Sequence, residues 1–139
     1  MFLNLVAWGF LAGIIHFVIA GILYGNPAID RMYTTAMKEH AGVRRWDSRA
    51  RYLVTQFLGT QVEVYLVAIG YYWLRPLLPL SGLGGALMLG LLFAAIRVYS
   101  RFWNMWIQST YPRNLLAVEL VNGTLGVLAI TAFLELFAR

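Results

Sequence analysis

An uninterrupted apolar stretch, residues 86–96, runs directly into Arg97-Val98-Tyr99-Ser100-Arg101-Phe102-Trp103-Asn104. Two arginines and an asparagine therefore continue a segment that otherwise reads as membrane-spanning. Ionised side chains in hydrocarbon cost at least ~2–3 kcal/mol each on insertion scales, so they face a bundle interior, pair with opposite charge, or mark a site. The polar centre of this chain is expected around them.

The rest of the chain agrees with a bilayer environment. Its 139 residues are 60% hydrophobic and only 12% charged, with mean hydropathy +0.68. Four spans are expected at about 2–24, 52–74, 84–108 and 114–137, each near the ~20 residues that cross a ~30 Å hydrocarbon layer as a helix. Transmembrane strands would need alternating segments of about ten residues. Residues 89–96 and 125–132 are instead nearly continuous apolar runs, which favours helices. The expected fold is all-α, a single four-helix membrane bundle with no soluble domain.

The first span lacks a basic leader and a small-x-small cleavage site, so it is read as retained. Of the 11 Lys and Arg residues, Arg31, Lys38, Arg44, Arg45, Arg49 and Arg51 lie in the first connection and Arg113 in the third, against Arg75 in the second. That asymmetry puts connection 25–51 in the cytoplasm and both termini outside it. Within it, residues 28–40 are expected to form a short interfacial helix with Met32, Tyr33 and Met37 toward lipid and Arg31 and Lys38 near headgroups. The net charge of +5 is accounted for by membrane topology, and no nucleic-acid partner is expected.

At 100° per residue, Arg97, Arg101, Asn104 and Gln108 form one stripe, with Tyr99, Trp103 and Trp106 on the opposite, outward face. The second span collects Gln56, Gly59, Thr60 and Glu63, with Gln61 rotated away. The fourth groups Glu119, Asn122, Gly123 and Gly126. In the first, Gly9, Ala12, Gly13, His16 and Ala20 share a face whose small residues permit close helix approach. Each span thus offers one polar or small face.

Depth supports a shared interior. Counting about 1.5 Å per residue from the basic side, Glu63 and Arg97 both fall roughly 15 Å deep, His16, Gln61 and Asn122 roughly 12 Å, and Arg101 and Glu119 roughly 7–11 Å. Neutrality then pairs Glu63 with Arg97 and Glu119 with Arg101. Such an inventory can hold an anion with arginine, move a proton with histidine or glutamate, and orient a substrate with an amide. The expected catalytic groups are Glu63, Glu119 and His16. Arg97, Arg101, Asn104, Asn122, Gln56 and Gln61 are the expected substrate contacts.

Other chemistries lack their residues. The chain has no cysteine, and its two histidines are His16 and the loop residue His40. One chain therefore supplies neither thiolate metal sites nor a bis-histidine haem pair from its interior. No P-loop, dinucleotide fingerprint or nucleophile elbow is present, and no cofactor is expected.

The stretch Phe17-Val18-Ile19-Ala20-Gly21-Ile22-Leu23-Tyr24-Gly25-Asn26-Pro27, followed by Met32-Tyr33, resembles the first-helix exit of a bacterial four-helix membrane family known only as domain of unknown function seventeen sixty-one. The closing span is similar to that family's as well, from Tyr111-Pro112-Arg113 through Val121-Asn122-Gly123 to Leu136. This likeness implies the topology and a bacterial cytoplasmic membrane, and no activity. A weaker resemblance, through the basic first connection and the third-span arginines, is to the membrane-associated eicosanoid and glutathione metabolism family. It would imply trimers binding glutathione between subunits near Arg97, Arg101 and Arg113.

The leading expectation is a polar core that binds a small amphiphile and performs acid/base chemistry such as isomerisation, cyclisation or epoxide opening. The alternatives are a non-enzymatic assembly subunit of a membrane complex and a glutathione-type transferase. A homodimer or homotrimer is expected on size alone.

Overall fold

The computed structural model describes residues 2–138, which form helices joined by short turns. Helix α1 spans Phe2–Tyr24, α2 Pro27–Glu39, α3 Arg49–Leu74, α4 Gly82–Ala94, α5 Ser100–Gln108 and α6 Arg113–Phe137. A 3-10 turn, Arg75–Leu77, extends α3, and a π-helical turn, Ala95–Tyr99, joins α4 and α5 into one rod. Four units, Leu3–Tyr24, Arg49–Leu77, Gly82–Gln108 and Arg113–Phe137, are long and apolar enough to cross a membrane. The chain is thus an all-helical protein of multi-pass membrane type.

Local chemistry sets the boundaries. Helix α1 closes where Gly25 N–H bonds Gly21 O at 2.8 Å, and a Cβ on Gly25 would lie 2.5 Å from that carbonyl. Asn26 then caps α2 by accepting from Ala28 N–H at 2.9 Å, with Pro27 supplying the preset φ of a first helical residue. Ser48 caps α3 from Arg51 N–H at 3.3 Å, so the helix begins at Arg49 rather than at 52. Pro76, which has no N–H to continue the ladder, ends α3. Gly82 has φ +63°, a conformation that disfavours any side chain, and α4 starts there rather than at 84. The helix expected within the first connection runs over Pro27–Glu39, one residue earlier than expected.

Helix α6 is the centre of the bundle, packing against α1, α3, α4 and α5. Small residues of α1 receive large ones of α3. Gly9 lies against the Tyr65 ring and Gly13 against the Gln61 amide, while Phe57 meets Phe10 and Phe17 edge-on. Gly90 of α4 likewise seats Thr131 and Leu128 of α6. This is close packing through small residues, the means by which helices associate where lipid tails are as apolar as side chains.

The hydrophobic core lies toward the end that contains the 3-10 turn. It is built from Ala12, Val64, Val67, Ala68, Tyr71, Ala86, Leu89, Ile130 and Leu134. Toward the α2 end the helices separate, and the backbones of α3 and α5 do not approach each other. The bundle is tight at one end and split at the other. Leu134→Ala, at a fully buried position, should therefore cost about 2 kcal/mol or more by opening a cavity. Val62→Ala, at a site 63% exposed on the outer face, should change little; thermal unfolding in mild detergent would compare the two.

Candidate functional site

The π-helical turn decides which side chains of the third span reach the interior. An α-helix would carry the inward face of Ala86, Gly90 and Ala94 on through Arg97 to Arg101, Asn104 and Gln108. The wider turn inserts an extra residue and advances that face by one position. Phe102, Met105 and Trp106 become half-buried instead, and Arg101, Asn104 and Gln108 are exposed. Asn104 is thereby removed from the expected interior stripe. Tyr99 and Trp103 face outward as expected, whereas Trp106 is half-buried beneath the Arg113 guanidinium, 4.5 Å from its ring centroid.

Helix α3 is also turned relative to the expected face. Thr60, Val64, Val67, Ala68 and Tyr71 are buried, while Gln56 and Gly59 are exposed. Gln61 faces inward rather than away, because Gly13 leaves room for its amide, and its Oε1 and Nε2 are buried without a hydrogen-bond partner. Gln56 reaches Thr60 Oγ1 through its Nε2 at 3.4 Å.

Two ion pairs join the split end of the bundle. Arg97 of the π-helical turn bonds Glu63 of α3 across the gap between the helices. Arg101 of α5 stands 3.8 Å from Glu119 of α6, with its side chain 69% exposed. Both match the pairing that depth implies. Behind them, His16 is buried against Gly126 and its Nδ1 lies 3.3 Å from Gly126 O. A carbonyl accepts, so Nδ1 carries the proton and Nε2 keeps its lone pair. Asn122, one turn before Gly126, is 7% exposed, and its Nδ2 is buried without a partner.

Glu119 has partners that charge pairing alone does not disclose. Its Oε1 accepts from Tyr111 Oη at 2.9 Å and from Tyr33 Oη of α2 at 3.2 Å, and the Tyr33 ring meets Tyr24 edge-on. Burial, followed by the Glu119 charge, pushes both Tyr33 and Tyr111 well above the usual tyrosine range, so both stay protonated donors. Tyr33 is thus a tie between α2 and α6 rather than a lipid anchor.

A third cluster occupies the packed end. Arg75 donates from Nε to Glu135 Oε2 at 2.9 Å and from Nη2 to Oε1 at 3.2 Å. Its Nη1 and Nη2 also bond Leu80 O and Gly82 O, at 2.9 and 3.2 Å. Tyr71 adds a hydroxyl bond to Glu135, whose side chain is only 3% exposed. The sequence carried one sign of this clasp: Arg75 closes the second span and Glu135 lies near the end of the fourth, at the same side of the membrane.

Glu63 and Arg97 thus bridge helices where the backbones of α3 and α5 do not approach each other, while His16 and the amides of Gln61 and Asn122 supply polar atoms buried between helices. Among the described residues no three His, Asp or Glu side chains converge. Two concavities lie elsewhere, one of about 450 Å³ at the loop after α2 and one of about 270 Å³ between α2 and the start of α6. Comparisons with models of known families, with curated proteins and with solved structures give no match.

Two outcomes test this geometry. A phenol whose folded pKa is raised contributes stability in full below its unfolded value of about 10 and loses it as pH rises through the folded value. The detergent-solubilised protein should therefore lose thermal stability as pH climbs past about 10, and Tyr33→Phe/Tyr111→Phe should flatten that slope. Arg75→Gln leaves a buried carboxylate without its guanidinium, and its melting temperature should fall by an amount equivalent to about 3 kcal/mol, well beyond that of Arg101→Gln.

Proposed function

We propose that the cleft between α3 and α5 admits an anionic amphiphile sideways from the bilayer and carries out acid/base chemistry on its head group. The observation that supports this most directly is Arg101. It belongs to a rod apolar enough to span a membrane, yet its side chain is 69% exposed and its acid partner is 3.8 Å away. A guanidinium so loosely matched within a span has capacity for another anion.

The neighbouring groups supply the remaining roles. Arg97 extends the cationic wall, and the amides of Asn122 and Gln61 offer buried donors and an acceptor for orienting a substrate. His16 Nε2 is the base, and Glu63 is the carboxyl that exchanges the second proton. Glu119, held by two tyrosines and facing Arg101, secures α2 across the mouth of the cleft and balances Arg101. Isomerisation, ring closure and epoxide opening all fit this equipment. The Lys and Arg bias assigns the α2 side to the cytoplasm.

A second reading has its own support in the outer face of α5. There Tyr99 and Trp103 are exposed and stacked, with ring centroids 6.3 Å apart at 17°. They suit contact with another membrane helix, as in an assembly subunit that has no turnover.

Native mass spectrometry of gently extracted protein, with identification of bound lipids and metabolites, separates these readings. The expected result is one discrete anionic amphiphile, lost in Arg101→Gln. On incubation in D2O and in ¹⁸O-labelled water the wild-type protein should place deuterium on a carbon of that molecule for an isomerisation or ring closure, or ¹⁸O for an epoxide opening, and His16→Ala should retain the molecule without the label. Bulk lipid alone, or a stoichiometric protein partner, would sink the enzymatic reading.

A further inference from the structure

The loop that follows α2 has a feature unrelated to the cleft. Residues 37–45 surround the concavity of about 450 Å³, whose lining includes Lys38, His40, Arg44 and Arg45, with Glu39 its acidic member. The two arginines are held in different ways. Arg45 donates from Nε to Met37 O at 2.7 Å and from Nη2 to Lys38 O at 3.5 Å. Those carbonyls belong to the last turn of α2, where helix carbonyls lack partners and carry the negative end of the helix dipole. Arg45 offsets that negative potential, which would otherwise oppose an anion in the concavity. Arg44 lies over the Trp46 ring, its guanidinium carbon 4.5 Å from the centroid. Trp46 in turn packs against Tyr52 at 5.6 Å, so Arg44 stands on an aromatic pedestal next to the start of α3.

We propose that this concavity binds the phosphate head group of an anionic phospholipid, with Lys38 and Arg44 as its direct ligands and Arg45 as the residue that positions the loop. Three observations favour a lipid over a soluble phosphate. The loop begins where α2 ends and leads into α3, one of the four helices suited to crossing a membrane. Met37, Ala41 and Val43 give the concavity apolar walls beside its charges. Trp46 and Tyr52 are residue types that settle at the headgroup level of a bilayer. Arg31, Arg49 and Arg51 add general attraction to an anionic surface from the same connection. The concavity adds a defined position for one phosphate.

The experiment uses the full chain in nanodiscs of phosphatidylcholine containing a minor fraction of phosphatidylglycerol, ejected for native mass spectrometry. One phosphatidylglycerol per chain should be retained, and inorganic phosphate added to pure phosphatidylcholine discs should not replace it. Lys38→Gln/Arg44→Gln should lower that occupancy about tenfold more than Arg49→Gln/Arg51→Gln, which removes equal charge outside the concavity. Thermal unfolding in pure phosphatidylcholine discs confirms that both variants are folded. Equal losses from the two variants would reduce the effect to diffuse attraction and overturn the site. Retention unaffected by Lys38→Gln/Arg44→Gln, or binding of inorganic phosphate in its place, would overturn it as well.

Discussion

Hydrocarbon does not solvate charge, and three glutamates nevertheless lie within the spanning helices. Each is matched by an arginine from a different element: Glu63 by Arg97 of the π-helical turn, Glu119 by Arg101 of α5, and Glu135 by Arg75 of the 3-10 turn. Removing one partner from such a pair leaves an uncompensated charge, so the pairs constrain which helices stand together more than they add net stability. Two of the three involve α6, the helix that also packs against α1, α3, α4 and α5. The central position of α6 and the distribution of charge are two aspects of one arrangement.

The pairs differ in how far they are enclosed. Glu135 is saturated by Arg75 and Tyr71, and Arg75 also fastens the turn into α4 through Leu80 O and Gly82 O. Such a closed network stiffens one end of the bundle. At the other end Arg101 is exposed, and Gln61 and Asn122 retain buried atoms without partners. Buried polar groups without partners carry a desolvation cost that the closed network around Glu135 avoids.

Local geometry decides which side chains of the third span face inward. Because the π-helical turn advances the inward face by one residue, α5 presents Phe102, Met105 and Trp106 to the bundle and leaves Arg101 outside. Had the third span stayed α-helical, its arginine and amide stripe would have faced α6 and closed the interior. A single extra residue in one turn therefore keeps Arg101, Asn104 and Gln108 out of the interior. Helix α2 is tied to α6 by the Tyr33 bond to Glu119.

The spanning helices, the short helix of the first connection and two of the three ion pairs were legible from residue order alone. Hydrophobic length, depth along a helix and the need for neutrality act on each span independently of its neighbours. The small face of Gly9, Ala12, Gly13 and His16 was legible for the same reason, since a helix displays it whatever packs there. The rotation of α3 was not, because Gln61 turns inward only where Gly13 makes room for it. Nor were the burial of Glu135, the Tyr33 and Tyr111 bonds to Glu119, or the displaced stripe of α5. Those depend on which side chains meet across helices and on one widened turn, and packing between distant segments decides both.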